Sequence, residues 1–157
     1  MIGTDRFGQD LTGADPHSVE VWDTAITEVL DFRGDPSERL HELTATDDAF
    51  VMGLVVTTAG AVLGGDDPLS ESLQTDLAVL EARCGHATER ERAHAGAVAT
   101  LVDGNFTAAA ARWEAIGASH PHDVVATKMA HDIYLHVGDD ARRLQASTAV
   151  IGRLRVG

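Results

Sequence analysis

Two glycines that lie 34 residues apart limit most strongly what this chain can fold into. Gly104 and Gly138 each follow an apolar segment of helical length, and each fits a tight reversal between two helices. Counting from Gly104, small and large residues fall seven positions before it and two, five, nine and seventeen positions after it: Ala97, Phe106, Ala109, Trp113 and Pro121. The alanines let paired helices approach closely, and Trp113 fills the gap toward the next pair. One period later, Tyr134 precedes Gly138 by four positions. This recurrence predicts stacked antiparallel helix pairs.

The rest of the chain also predicts short helices joined by turns. Aromatic residues make up only 4% of it, and no clear run alternates apolar and polar residues as a strand does. Capping residues, prolines and glycines divide the sequence into expected helices over 16–32, from 36, and over 49–63, 68–84, 88–102, 106–119, 124–137 and 140–154. The third is apolar on most of its surface, so we expect it to be central. The predicted fold class is all-α, with antiparallel helix pairs in a short right-handed solenoid of about eight helices.

The length of the chain, 157 residues, is that of one domain. We expect a single helical-repeat domain over 1–157, in which 1–14 are irregular, 15–87 form degenerate helix pairs and 88–157 form regular repeats. The lone Cys84 excludes an intramolecular disulfide. No stretch reaches the roughly 18 apolar residues of a membrane span, and the first residues lack the pattern of a secretory signal. These features favour a cytoplasmic protein.

The charge balance limits the classes of partner that we expect the protein to bind. There are 12 lysines and arginines against 25 aspartates and glutamates, a formal net charge of −13. Such a surface repels phosphate backbones and anionic lipid, so we expect neither nucleic acid nor a membrane as a partner. A basic or neutral partner is favoured instead.

Short motifs along the chain carry a resemblance to a known family. The clearest are Thr88–His94, Gly104–Asn105, Trp113–Glu114, His120–Pro121, Asp123 and Lys128–Asp132, with Asp5–Gly8 and Asp47–Phe50 before them. Together they resemble the N-terminal part of the tetratricopeptide repeat protein 38 family, over nearly the whole chain. The resemblance implies a tetratricopeptide-like α-solenoid, and members of that family are much longer helical-repeat proteins. It implies no defined activity, so the chemistry stays open.

Two short motifs could bind a metal, but each has a structural interpretation that we favour. Glu91 and His94 lie on one helical face, as in helices that hold paired metal ions. No second motif of this kind exists, and Glu91 is placed to form a capping box with Thr88. The tract 120–123 holds two histidines and an aspartate that could bind zinc, but its proline and Asp123 are typical of a helix boundary. The chain also lacks a nucleophile elbow, a phosphate-binding loop and a dinucleotide glycine motif. We therefore expect no catalytic residue, no metal and no cofactor.

His131 is the most informative of the remaining histidines. It falls at a small-residue position of its helix, so we expect a partly buried core histidine whose ring nitrogens have partners. The alternative is a pocket histidine that the neighbouring Asp132 orients.

The predicted function is that of a noncatalytic interaction module. In a helical solenoid, the first helices of the pairs line a concave groove. Outward positions on the helices 88–102 and 124–137 supply the candidate binding residues Glu91, His94, Val98, Leu101, Lys128, His131, Asp132 and Leu135. Their mixture of charge and aliphatic surface suits an extended peptide or a small polar molecule. The alternative is an enzyme or small-molecule-binding protein with a pocket around His94, His131 and Asp132, which a closed cavity would favour over an open groove.

The last helix predicts a second kind of contact. It carries apolar residues on more than one side, whereas the first fourteen residues offer little to bury. We therefore expect the C-terminal helix to be covered by a second copy through a two-fold contact, or by a partner chain.

Overall fold

The all-α class is confirmed by a computed structural model, which describes residues 1–156 and the side chains of residues 1–153. Within these residues the chain forms eight α-helices and one short hairpin. The elements are β1 (Ile2–Thr4), β2 (Asp10–Thr12), α1 (Pro16–Asp31), α2 (Pro36–Thr46), α3 (Met52–Leu63), α4 (Glu71–Arg83), α5 (Glu89–Val102), α6 (Phe106–Ser119), α7 (Val124–Val137) and α8 (Asp140–Val156). None of the helices in this part of the chain is both long and apolar enough to cross a bilayer.

Side-chain caps fix where several helices begin. The carboxylates of Asp15 and Asp123 accept hydrogen bonds from backbone amides in the first turns of α1 and α7. The helix expected over 68–84 begins only at Glu71, because the hydroxyl of Ser70 accepts from the amide of Leu73 and acts as its cap. Side-chain caps therefore mark the starts of these three helices, whereas the proline at position 68 places the expected start of α4 three residues too early.

The third helix is central, as its apolar surface predicts. Eight of its twelve residues are buried. The helix begins at Met52, three residues later than expected. Neighbouring helices along the chain pack against each other, and α3 in addition packs against α5 and α7. It therefore joins the first half of the molecule to the second.

The expectation that residues 1–14 are irregular is wrong. The strands β1 and β2 pair antiparallel, with Ile2 opposite Thr12, and Leu11 is completely buried. The carboxylate of Asp5 accepts hydrogen bonds from the amides of Phe7 and Gln9, which closes the turn between the strands. Strands of three residues are too short to show the alternation by which a strand is recognised in a sequence.

Candidate functional site

One half of the predicted groove is in fact part of the core. Glu91, His94, Val98 and Leu101 have no exposed surface. Their spacing of three, four and three residues places them on one face of α5, as the sequence predicts. That face points inward because α5 packs against both α3 and α6. The expectation that these four residues line an open groove is therefore wrong.

His94 belongs to a chain of buried hydrogen bonds. The indole Nε1–H of Trp113 donates to His94 Nδ1 at 3.0 Å, so this nitrogen must be an acceptor. The proton of the neutral ring is then on Nε2, which donates to Asp123 Oδ2 at 2.9 Å. The same oxygen accepts from Arg90 Nη1 at 2.7 Å, and Oδ1 accepts from the amide of Ala126 at 2.9 Å. Both ring nitrogens of His94 and both carboxylate oxygens of Asp123 therefore have partners.

The electrostatics of Asp123 keep this network ionic at neutral pH. Burial alone raises the pKa of Asp123, but the hydrogen bond from His94, the charge of Arg90 and the amide of Ala126 together hold that pKa well below its usual range. Asp123 also caps α7, so the helix-boundary interpretation of the tract 120–123 is confirmed. The network connects three helices, and its members Trp113 and Ala126 also line a cleft with His131, whereas Arg90, His94 and Asp123 line no cleft with His131 or Asp132.

Glu91 ties the N-terminal hairpin to α5. Its carboxylate accepts from the amide and the hydroxyl of Thr12 at 2.8 and 2.5 Å, and from the amide of Thr88 at 2.8 Å. The expected capping box with Thr88 is confirmed. Beside it, Arg90 Nη2 donates to the carbonyl oxygen of Asp10 at 2.6 Å. Two consecutive side chains of α5 thus hold the strand β2 in place.

Helix α7 borders three adjoining clefts, which lie side by side around it and which we call the α7 groove. The first, of about 220 Å³, lies between α6, α7 and α8 over the ring of Trp113. The second, of about 400 Å³, lies between the hairpin, α1, α7 and α8, with Phe7 and Leu30 in its wall. The third, of about 310 Å³, lies between α1, α2, α3 and α7. The first two clefts share Thr127, His131, Ser147 and Val150, and the second and third share Lys128.

The other half of the predicted site does come together at this groove. Lys128 and Asp132 form an ion pair one helical turn apart, and Lys128 Nζ lies 4.5 Å from the centre of the Phe32 ring. His131 Nδ1 is 3.4 Å from Asp132 Oδ1. His131 is partly buried, as expected, but it lies at the groove and not in the core, because 41% of its side chain is exposed and it lines two of the clefts. Leu135 is exposed but borders none of the three clefts.

Sequence reasoning missed two contributors to the groove. Phe7 comes from the hairpin turn, and the motif Asp5–Gly8 was its only signal. Arg153 of α8 lies at the first cleft, with its Nη1 4.0 Å from the place that a β-carbon on Gly117 would occupy. No protein-family model matches this sequence, and no solved structure matches the fold. Among the residues whose side chains are described, no three histidine, cysteine, aspartate or glutamate side chains are grouped to hold a metal ion.

Proposed function

We propose that this chain is a noncatalytic interaction module of the tetratricopeptide type, and that the α7 groove binds an extended peptide segment of a partner protein. The observation that carries the proposal is the continuity of the groove. Three clefts lie side by side around α7 and are joined by shared residues, so together they form a continuous depression across the helix that suits a linear ligand. A cytoplasmic location is part of the same proposal.

The lining of the groove also fits a peptide. Apolar side chains such as Phe7, Leu30 and Met129 line the walls, and a few polar groups lie between them. Pockets for alternate side chains, separated by polar groups, are typical of surfaces that recognise extended peptides.

The alternative of a single small-molecule pocket has less support. It requires His94 beside His131 and Asp132, but His94 is completely buried and bonded to Trp113 and Asp123. The first cleft, of about 220 Å³, is smaller than the roughly 300–1,000 Å³ of typical pockets for drug-sized ligands, and the second and third, of about 400 and 310 Å³, lie at the lower end of that range. The first cleft therefore suits one side chain of a peptide better than a whole cofactor.

The test uses two adjacent residues of α8 that differ in what they face. Ser147 lines the first and second clefts, whereas Thr148 is exposed and lines none of the three. Each hydroxyl donates to the carbonyl oxygen four residues earlier, so replacing either one removes the same kind of bond. Ser147→Tyr fills the junction of the two clefts with a bulky ring. Thr148→Tyr adds the same ring outside the groove.

Peptides are selected from a random display library on the immobilised protein, and their affinities are measured by fluorescence anisotropy. We expect Ser147→Tyr to weaken their binding by about tenfold or more, the effect of losing one well-packed anchor side chain. Thr148→Tyr should leave the affinity within about twofold. Circular dichroism should show the same helix content and melting temperature for both variants. Selected peptides that bind both variants equally would show that the groove is not their site.

A further inference from the structure

The charge balance of the α7 groove differs from that of the protein as a whole, because its lining holds as many basic as acidic side chains, and this difference bears on the partner that the proposed function requires. The chain carries a formal net charge of −13. Two of the acidic side chains that line the groove are already neutralised by bases. Glu28 accepts from Arg39 at 3.0 and 3.2 Å, and Asp132 pairs with Lys128. Neither carboxylate is therefore free to attract a basic peptide.

Two arginines of the groove have no such partner. Arg153 at the first cleft and Arg33 at the third form no side-chain hydrogen bond or ion pair with any residue whose side chain is described. His131, between the first two clefts, uses Nδ1 toward Asp132 and leaves Nε2 without a partner among the same residues. Glu114 is the one lining carboxylate in the described part of the groove that lacks a base. The unpaired positive side chains of the groove, Arg153 and Arg33, therefore outnumber its unpaired carboxylate, Glu114, among the described residues.

We infer that the α7 groove selects an acidic peptide: an apolar side chain enters the first cleft over Trp113, and a neighbouring aspartate or glutamate pairs with Arg153. This inference rests on the proposed function. A guanidinium matches a carboxylate with two parallel hydrogen bonds, so Arg153 favours an acid over a neutral amide. The apolar floor of the cleft, with Ala126 and Ala130 beside Trp113, takes the anchor side chain.

The negative net charge does not prevent such a contact. At physiological ionic strength the Debye length is about 8 Å, so charges on distant surfaces are largely screened. Arg153 contacts its ligand directly and is screened much less. The last helix is also the basic end of the chain, since residues 139–157 contain four arginines and two aspartates. The local field at the first cleft therefore decides the preference, whereas the net charge predicts a basic or neutral partner.

The test compares the composition and the affinity of peptides selected from the same random library. We expect the selected peptides to be enriched in aspartate and glutamate over lysine and arginine, next to an apolar residue. Arg153→Gln should weaken their binding by about tenfold, the effect of one charge-assisted hydrogen bond. Raising the salt from about 0.05 M to about 0.5 M should weaken the binding of the wild type more than that of Arg153→Gln.

Arg143→Gln is the matched control. It removes the same charge from the same helix, but Arg143 pairs with Asp140 at 2.9 Å and lines none of the three clefts. Peptides that are weakened by Ser147→Tyr but are rich in lysine and arginine would overturn the inference and leave the proposed function standing. Equal effects of Arg153→Gln and Arg143→Gln would also overturn it. Peptides that Ser147→Tyr does not weaken would instead overturn the proposed function.

Discussion

Trp113 has two roles at the centre of the molecule, because it fills space and also donates a hydrogen bond. The repeat pattern predicts the first role, and the complete burial of the ring confirms it. The second role joins Trp113 to His94, 19 residues earlier in the chain, and through His94 to Asp123, which lies 29 residues after His94. Such contacts depend on how helices pack together, so a search for periodic positions within one helix does not find them. For the same reason, the sequence pattern predicts wrongly that His94 lines an open groove.

The two roles of Trp113 can be separated by two substitutions. Trp113→Ala should lower the free energy of unfolding by about 3–5 kcal/mol, because it removes a large core aromatic and leaves a cavity. Trp113→Phe keeps most of the ring but leaves Nδ1 of His94 buried without a donor, which should cost about 1–3 kcal/mol. Urea denaturation followed by circular dichroism measures both. A loss below about 1 kcal/mol for Trp113→Ala would show that the repeat register is wrong.

Asp123 should make stability depend on pH in the acid range. Because its pKa is lowered in the folded state, the unfolded chain takes up a proton at a higher pH than the folded chain does. The stabilisation is therefore complete above the unfolded pKa of about 3.9 and is lost as the pH falls below it. Asp123→Asn should remove this contribution to the slope of the unfolding free energy against pH. It should also cost about 3–5 kcal/mol at neutral pH, since it leaves the charge of Arg90 buried without its carboxylate.

The measurement is a series of denaturation curves between neutral pH and pH about 3. Asp66→Asn is the control, because it removes one carboxylate from an exposed loop in which the side chain has no hydrogen-bond partner among the described residues. That variant should keep the slope of the wild type. If Asp123→Asn also keeps it, the lowered pKa of Asp123 does not contribute to folding.

At the scale of elements, the sequence predicts well what is encoded locally. The bounds of α6 and α7 agree with the expected helices, because a turn glycine, a capping aspartate and a proline mark their ends. The hairpin was missed because residues far away in the chain hold it in place. Glu91 bonds to Thr12 and Arg90 bonds to Asp10 across 79 and 80 positions. No local pattern reports a strand that is stabilised in this way.

Two glycines of α3 should respond in opposite ways to the same substitution. A β-carbon at Gly53 would lie 2.5 Å from Thr44 Cγ2 and 3.0 Å from the ring of Phe50, whereas nothing lies within 4 Å of a β-carbon at Gly60. Gly53→Ala should therefore cost about 1–3 kcal/mol through overpacking. Gly60→Ala should stabilise by up to about 1 kcal/mol, because alanine has the higher helix propensity. Melting temperatures that shift in the same direction would contradict this account of α3.

At the scale of the whole molecule, the groove was predictable only where one helix supplies it. The sequence places Lys128, His131 and Asp132 on one face of α7, and the structure brings all three to the groove. The opposite wall could not be predicted, because it comes from the hairpin, α1 and α8 rather than from α5. The central position of α3 was predicted, but not that it packs against α5 and α7. Which face of a helix stays open is thus a property of the assembled fold.

The outer face of α8 carries exposed apolar side chains that bear on the oligomeric state of the protein in solution. Leu144 and Ile151 are 70% and 52% exposed and lie two helical turns apart on one side of the helix. Leu135 at the end of α7 is 54% exposed as well. Apolar side chains that are grouped in this way at the end of a helical stack mark a surface that is usually covered. We therefore expect two copies to meet through α8 by a two-fold contact, in which Leu144 and Ile151 of each copy pack on their counterparts.

Light scattering at micromolar concentration tests this expectation. The wild type should have the mass of a dimer, and replacing both Leu144 and Ile151 by glutamate should give a monomer with unchanged helix content, because buried like charges oppose the contact. Leu69→Glu is the control, since Leu69 is 83% exposed but lies in the turn before α4. That variant should remain a dimer. A wild-type monomer would mean that α8 is stable with its outer face in water, and the predicted contact between copies would then be wrong. The α7 groove would be unaffected, because it uses Ser147 and Val150 on the inner side of the helix.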